Sequence, residues 1–338
     1  MVSSKDVAKL AGCSQATVSR VLNNPESVRP DTRTKVLNAM KALNYQPNLA
    51  ARSLVARSTR TIALVSGTLK NNFFAQSTDQ IVTYAAGRGY KTMVYFENEG
   101  SLEEMMTAVQ GYKVDGIIVS CVKLDDPHFT QLEQLGIPYM LFNRRHRSAC
   151  NYVAMDNEAA GGLLTRHLLD MGHRDIAYLS GPPDISTFYE RWAGFEKAMA
   201  EARLSVRQEL VHFNASDALE AQKLAWKLMQ LASPPTAIIC VNDEMAIACL
   251  DALLSMGLSV PSQVALAGFD DIGLASHQAI QLTSVGQHKF RMGEMAAEHL
   301  IAMIEAGPSD RTRPQDEPRI QIKFKPELFV RRSTSYKI

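Results

Sequence analysis

Cysteine is sparse: five residues (Cys13, Cys121, Cys150, Cys240 and Cys249) are scattered through 338. There is no C-x-x-C and no Cys/His cluster at zinc spacing, which excludes a disulfide scaffold and a zinc module and leaves free thiols in a reducing compartment. No run of about 18 apolar residues occurs, so no spanning helix is expected. The N-terminus has neither a long apolar stretch nor a cleavage site, so no secretory signal is expected either, and the chain reads as cytoplasmic. Enzyme signatures are missing as well: no P-loop, no H-E-x-x-H and no G-x-S-x-G. The lone G-x-G, Gly87-Arg88-Gly89, falls at a helix-to-strand turn, the wrong end for a dinucleotide. The expectation is a protein that is not an enzyme and has no cofactor and no metal.

Acidic residues are absent from Asp31 to Asp79. Residues 1–60 carry ten Lys/Arg against three acids, a net +7, whereas the remainder carries 26 against 32, a net −6. A basic arm on an acidic body points to a polyanion partner at one end only.

Three helices can be read in residues 1–46. Ser4 can cap the first, Lys5 to Ala11, with Val7 and Leu10 facing inward. Gly12-Cys13 makes a turn, Ser14 caps a second helix from Gln15 to Leu22, and Pro30 suits the first position of a third. Two short helices joined through a glycine turn are the helix-turn-helix pattern, whose second helix enters the major groove. Gln15, Ala16, Ser19 and Arg20 are its exposed residues. Arg20 can give guanine two parallel bonds, Gln15 can bond a base edge, and Ala16 offers a methyl. Thr17, Asn23, Thr32 and Tyr45 suit phosphates.

Pro47 ends the third helix, and Asn48 can cap a short helix through Ala56. Eight residues are marginal as an isolated helix, so this hinge (47–60) is expected to order only when DNA and a second copy of the chain hold it.

After Arg60 strands alternate with helices. Apolar runs at 61–67, 91–97, 115–121 and 138–143 form one series; those at 175–181, 209–213, 236–241 and 264–270 form another. Repeated β-α units imply parallel sheets with helices on both faces, here two doubly wound subdomains, with a ligand in the cleft beyond the strand ends. Asp270 and Arg191 can each hold two hydroxyls of a sugar in fork geometry. Phe73 and Phe74 can pack on an apolar ring face. Asn143 and Arg144 end the fourth strand. Asn242 and Asp243 end the strand TAIICV; Asp243 and Asp156 are read as helix N-caps, and His173 as a turn or packing residue.

The runs KDVAKLAGCSQATVSRVLN and VRPDTRTKVLNAMKALNYQPNLAARSL closely resemble the headpiece of the LacI/GalR family of bacterial transcription regulators. The resemblance continues through NNFF, VDGII, FNR, MGHRDIAYLSG, RWAGF and GFDD, and covers essentially the whole chain. It implies a helix-turn-helix headpiece that binds a near-palindromic double-stranded operator. It also implies a periplasmic-binding-protein-like body that forms a homodimer and takes a small effector, usually a sugar. Hinge helices of two subunits would pair in the minor groove, with Leu54 as the wedge between base steps and Ala51 facing the groove; Ser14 and Asn48 belong to the same DNA-contacting set. Effector contacts would fall on Phe73, Phe74, Asn143, Arg191, Phe213, Asn242, Asp270 and Gln287. Asn72 departs from the proline found in many members, and Cys13 from the usual valine. The chain would cross between subdomains near 157, 287 and 318, giving an N-subdomain of about 61–156 plus 288–318 and a C-subdomain of about 157–287 plus 319–338. No leucine-heptad tail follows, so a dimer is expected. The expected function is a repressor under effector control, with a sugar inducer or a purine-like corepressor; residue types do not choose between inducer and corepressor.

Overall fold

The computed structural model describes residues 2–46, 58–96, 106, 107, 109, 111–215, 217–287, 291–307 and 318–335. It divides into two units, 1–59 and 60–338. The hinge helix expected at 48–56 lies outside the described residues.

In the first unit, α1 (Ser4–Ala11) begins where the Asp6 carboxylate accepts from Ser3 N at 2.9 Å and Ser3 Oγ at 2.7 Å, so Ser3, one residue earlier than expected, is the cap. Gly12 closes α1 in the left-handed region at φ +65°, which only glycine adopts without penalty. Then come α2 (Gln15–Asn23), capped by Ser14, whose side chain accepts from Thr17 N, and α3 (Pro30–Ala42). Val7, Ala8, Val18, Val21, Val36 and Ala39 form the core, with Cys13 and Tyr45 packed against it. Leu10 is turned out, 56% exposed, against the inward reading. The face α1 buries is centred between Val7, Ala8 and Ala11, and Leu10 falls to one side of it.

The second unit holds two six-stranded sheets. Its elements in chain order begin with β1 (Thr61–Ser66), α4 (Asn72–Gly87), β2 (Lys91–Phe96), β3 (Gly116–Val119), α5 (Phe129–Gln134), β4 (Tyr139–Phe142) and β5 (Tyr152–Met155). There follow α6 (Asn157–Asp170), β6 (Ile176–Leu179), α7 (Ser186–Glu201), β7 (Val211–His212), α8 (Ala218–Met229), β8 (Ala237–Cys240), α9 (Asp243–Ser255), β9 (Ala265–Phe269) and β10 (Thr283–Gly286). The series ends with α10 (Met292–Ala306), β11 (Gln321–Phe324) and β12 (Glu327–Phe329). The first sheet runs β11-β5-β4-β3-β1-β2, all parallel; the second runs β12-β10-β9-β8-β6-β7, parallel except for β12.

Alternate residues of each strand serve opposite faces. Ile62 and Leu64 pack with Ile81 of α4 and Leu300 of α10, whereas Ala63 and Val65 pack with Phe129 and Leu132 of α5. Ile176 and Tyr178 pack with Leu164 of α6 and Phe195 of α7; Ala177 and Leu179 meet α8 and α9. Four strands escaped the reading by apolar runs: β5, β10, β11 and β12. Because β11 pairs with β5 in the first sheet and β12 with β10 in the second, the last crossing falls at 325–326 rather than near 318. Residues 321–324 therefore belong to the N-subdomain. The other crossings lie between β5 and β6 and between β10 and α10.

Helices α6 and α7 approach through glycines. A Cβ on Gly161 would lie 2.1 Å from Arg191 O, and one on Gly194 2.1 Å from Glu158 O. That close crossing sets where Arg191 leaves its helix.

Candidate functional site

On the headpiece, Gln15, Ala16, Ser19 and Arg20 form the solvent-facing side of α2, and Ser14 is exposed at its start. Gln15 Nε2 donates to Ser4 Oγ at 2.9 Å, which ties the first turn of α2 to α1. Thr17 and Ser14 hydroxyls lie 2.9 Å apart. Thr32 is half-buried near the start of α3, and Tyr45 is half-buried against the core. Among the described residues Arg20 has no ion pair, so its guanidinium faces solvent without an acidic competitor. Asn48, Ala51 and Leu54 lie outside the described residues; Asn23 lies in α2, with its side chain outside the description.

In the body, the carboxyl ends of β1, β4, β5, β9 and β10 converge on one cavity, lined by Phe73, Asn143, Met155, Arg191, Asp270, Gly286, Gln287 and Met292. Strand ends are where open α/β sheets place ligands. Arg191 is only 2% exposed. Its Nε donates to Asn157 Oδ1 at 3.0 Å, its Nη1 to Val241 O and its Nη2 to Asp270 Oδ1 at 2.8 Å. The guanidinium also lies over the Phe269 ring, 4.5 Å from the centroid. Three of its five N–H groups are thereby committed to the protein.

Asp270 and Asn143 both sit at positive φ, +98° and +53°. Non-glycine residues hold such backbone only when the surroundings dictate it, and such sites cluster at functional positions. Asn143 Oδ1 and Gln287 Oε1 are buried and, among the described residues, accept no hydrogen bond. Burying a polar atom without a partner is costly, so two unpaired acceptors on one cavity wall mark a place where donors from a ligand would be welcomed. Phe73 is buried, stacked on Phe142 at 5.9 Å and edge-on to Phe74 at 5.4 Å.

Of the eight sequence-derived effector positions, the structure brings five to this cavity: Phe73, Asn143, Arg191, Asp270 and Gln287. Phe74 instead covers the end of β1, where a Cβ on Gly67 would meet its ring at 2.6 Å. Phe213 packs edge-on against Trp192 at 5.1 Å. Asn242 caps α9, accepting from Met245 N at 2.8 Å. Asp243 is therefore not the cap it was read to be. It is fully buried and takes Ile272 N at 2.9 Å and Ser284 Oγ at 2.7 Å. Burial, with Asp270 nearby, holds its carboxyl well above the ordinary range. Asp156 caps α6 through Ala159 N. Met155, Gly286 and Met292 were missed; the first two reach the cavity at the ends of β5 and β10, interior strands of their sheets, and Met292 reaches it at the start of α10.

Residues 4–48 match the family described as bacterial regulatory proteins, lacI family, and residues 165–334 match a periplasmic binding protein-like domain. The HTH-type transcriptional repressor PurR of Vibrio parahaemolyticus is 34% identical over 336 residues, 98% of each chain. PurR of Aliivibrio fischeri strain MJ11 is 34% identical over 340 residues, again 98% of each. Among solved structures, a lac repressor dimer bound to operator and the anti-inducer ONPF aligns with a TM-score of 0.85 at 26% identity, covering 98% of this chain and 99% of that one. A CelR–cellobiose complex aligns at 0.72 and 29% identity, covering 98% and 100%.

Proposed function

The chain belongs to the LacI family of bacterial regulatory proteins and is a DNA-binding transcriptional repressor, and on that premise we propose how its operator affinity is controlled and by what. A homodimer acting in the cytoplasm sets two α2 helices in successive major grooves of a near-palindromic operator. A small effector in the cleft between the two sheets shifts the dimer between operator-binding and released forms, which it can do only by binding one form better.

The observation that carries the effector reading is the pair of buried acceptors, Asn143 Oδ1 and Gln287 Oε1, which have no donor among the described residues and stand beside the Asp270 carboxylate. Such a wall selects a ligand rich in hydrogen-bond donors. Phe73, Met155 and Met292 supply an apolar face for a ring. A sugar or sugar derivative acting as inducer answers this best, and the cellobiose bound by the CelR relative supports the class. A purine-like corepressor is the second reading, supported by full-length relatives that carry the PurR name.

Thermal-shift screening of the full chain against monosaccharides, disaccharides and purine bases tests this directly. A ligand at 100 times its Kd adds about 2.7 kcal/mol. Stabilisation by a sugar supports the first reading, stabilisation by purines alone replaces it with the second, and stabilisation by neither removes both. Sedimentation of the chain as a tetramer at micromolar concentration would contradict the dimer.

A further inference from the structure

Hydrogen bonds join the two subdomains at both rims of the cleft. At one rim Leu124 N donates to Asp184 O at 2.7 Å, Arg145 N donates to Ser186 Oγ at 2.9 Å, and Thr187 Oγ1 donates to Asn143 O at 2.6 Å. At the other, Glu244 Oε1 accepts from the backbone N of Asn72 at 2.7 Å, with Asn72 Nδ2 at 3.5 Å.

This second join is built from two helix starts. Asn72 opens α4, so its N–H is one of those an α-helix cannot bond internally. The neighbouring amides of Phe73 and Phe74 are taken by Asn71 Oδ1, at 2.9 and 3.4 Å. Glu244 stands in the first turn of α9, so one carboxylate faces the positive ends of two helices. It is half-buried, and burial, with Asp270 adding to it, raises its carboxyl above the ordinary range. A desolvated acceptor of this kind needs its donor. Asn72 is followed directly by Phe73, whose ring lines the cavity.

We infer that Glu244 is a latch of the cleft: its bond to the Asn72 amide holds the start of α4, with Phe73, against the C-subdomain, and so biases the chain toward the closed cleft. The bond exists only when the rims meet. Its whole strength therefore counts toward closure, and the effector acts on an equilibrium the latch has already tilted. The donor depends on the residue type at 72, since a proline there would have no N–H to give.

That dependence supplies the test. Proline is tolerated at the first position of a helix. Asn71, at φ −83° and ψ 119°, already has the extended backbone required before one. Asn72→Pro therefore deletes the donor and leaves the start of α4 in place. Glu244→Ala deletes the acceptor, and Glu244→Gln keeps an oxygen. Hydrogen–deuterium exchange is read on the full chain with no ligand added, at the far-rim amides of Leu124 and Arg145. The expected result is exchange about tenfold faster in Asn72→Pro and in Glu244→Ala. The double variant should be no faster than either single, and Glu244→Gln should stay nearer the wild type. Unchanged exchange at Leu124 and Arg145 in both variants would overturn the inference. So would an increase spread over the whole body, which would make Glu244 a support of the fold. The consequence for effector binding rests on the cleft being the effector site. The exchange result does not, so a failure of either reading is seen separately.

Discussion

Arg191 Nη2 stands 2.8 Å from Asp270 Oδ1, with the guanidinium side chain 2% exposed and the carboxylate 10%. Each holds the other in place: Asp270 neutralises a cation that could not otherwise stay buried, and Arg191 fixes a carboxylate on a strained backbone at the cavity wall.

Asp270→Ala is consequently a stability variant as well as a binding variant. It leaves Arg191 buried without a counter-charge, and urea unfolding should show a loss of about 3–5 kcal/mol. Asp270→Asn keeps an oxygen facing Arg191. It should lose far less stability while still losing the thermal shift given by the ligand found in the screen.

Gly286→Ala should damage the site without removing any functional group. A Cβ there would lie 2.5 Å from Asp271 Cβ and 3.0 Å from Asp270 O. The Asp270–Asp271 turn, with both residues at positive φ, would have to move. Ligand affinity measured by calorimetry should fall at least about tenfold, the order of loss from an ångström-scale misplacement. The circular dichroism spectrum should be unchanged.

Much of this was legible in the sequence. Strands buried on both faces, such as TIALVS and AIIC, announce themselves as apolar runs, and Asp270 and Arg191 stand out as charged residues at strand and helix ends. Strand β10, with the buried polar residues Thr283 and Ser284, does not look apolar, because its hydroxyls are satisfied by partners distant in sequence, Arg331 O and Asp243. Nothing in QIKF and ELF places them in different sheets, because that assignment depends on pairing with β5 and β10. Asn242 and Asp243 are adjacent and equally able to cap; only the position of Ser284 shows which one turns inward. Met155 and Met292 carry no chemical signal, and their place in the cavity follows from topology alone.

Asp243 should make the body's stability depend on pH. Its folded-state pKa is raised, chiefly by burial. The neutral form's contribution is thus complete below the ordinary carboxylate range and is lost as pH rises through the raised value. Across that window wild-type stability should fall by up to ~1.4 kcal/mol per pH unit. Asp243→Asn, neutral throughout, should show a flatter profile in urea titrations from acid to neutral pH.

Arg20→Ala should relax preference at one base pair in each operator half-site by about 1–3 kcal/mol. Binding-site selection from random duplexes, compared between wild type and variant, reads this directly. A uniform loss over all sequences would instead assign Arg20 to the phosphates.

Operator affinity of the full chain, measured by fluorescence anisotropy on a selected duplex with and without a saturating concentration of the ligand from the screen, tests the coupling of cleft to DNA most directly. A change of about 5–150-fold is expected, the range of a typical allosteric coupling. A ligand that occupies the cleft and leaves operator affinity unchanged would contradict it.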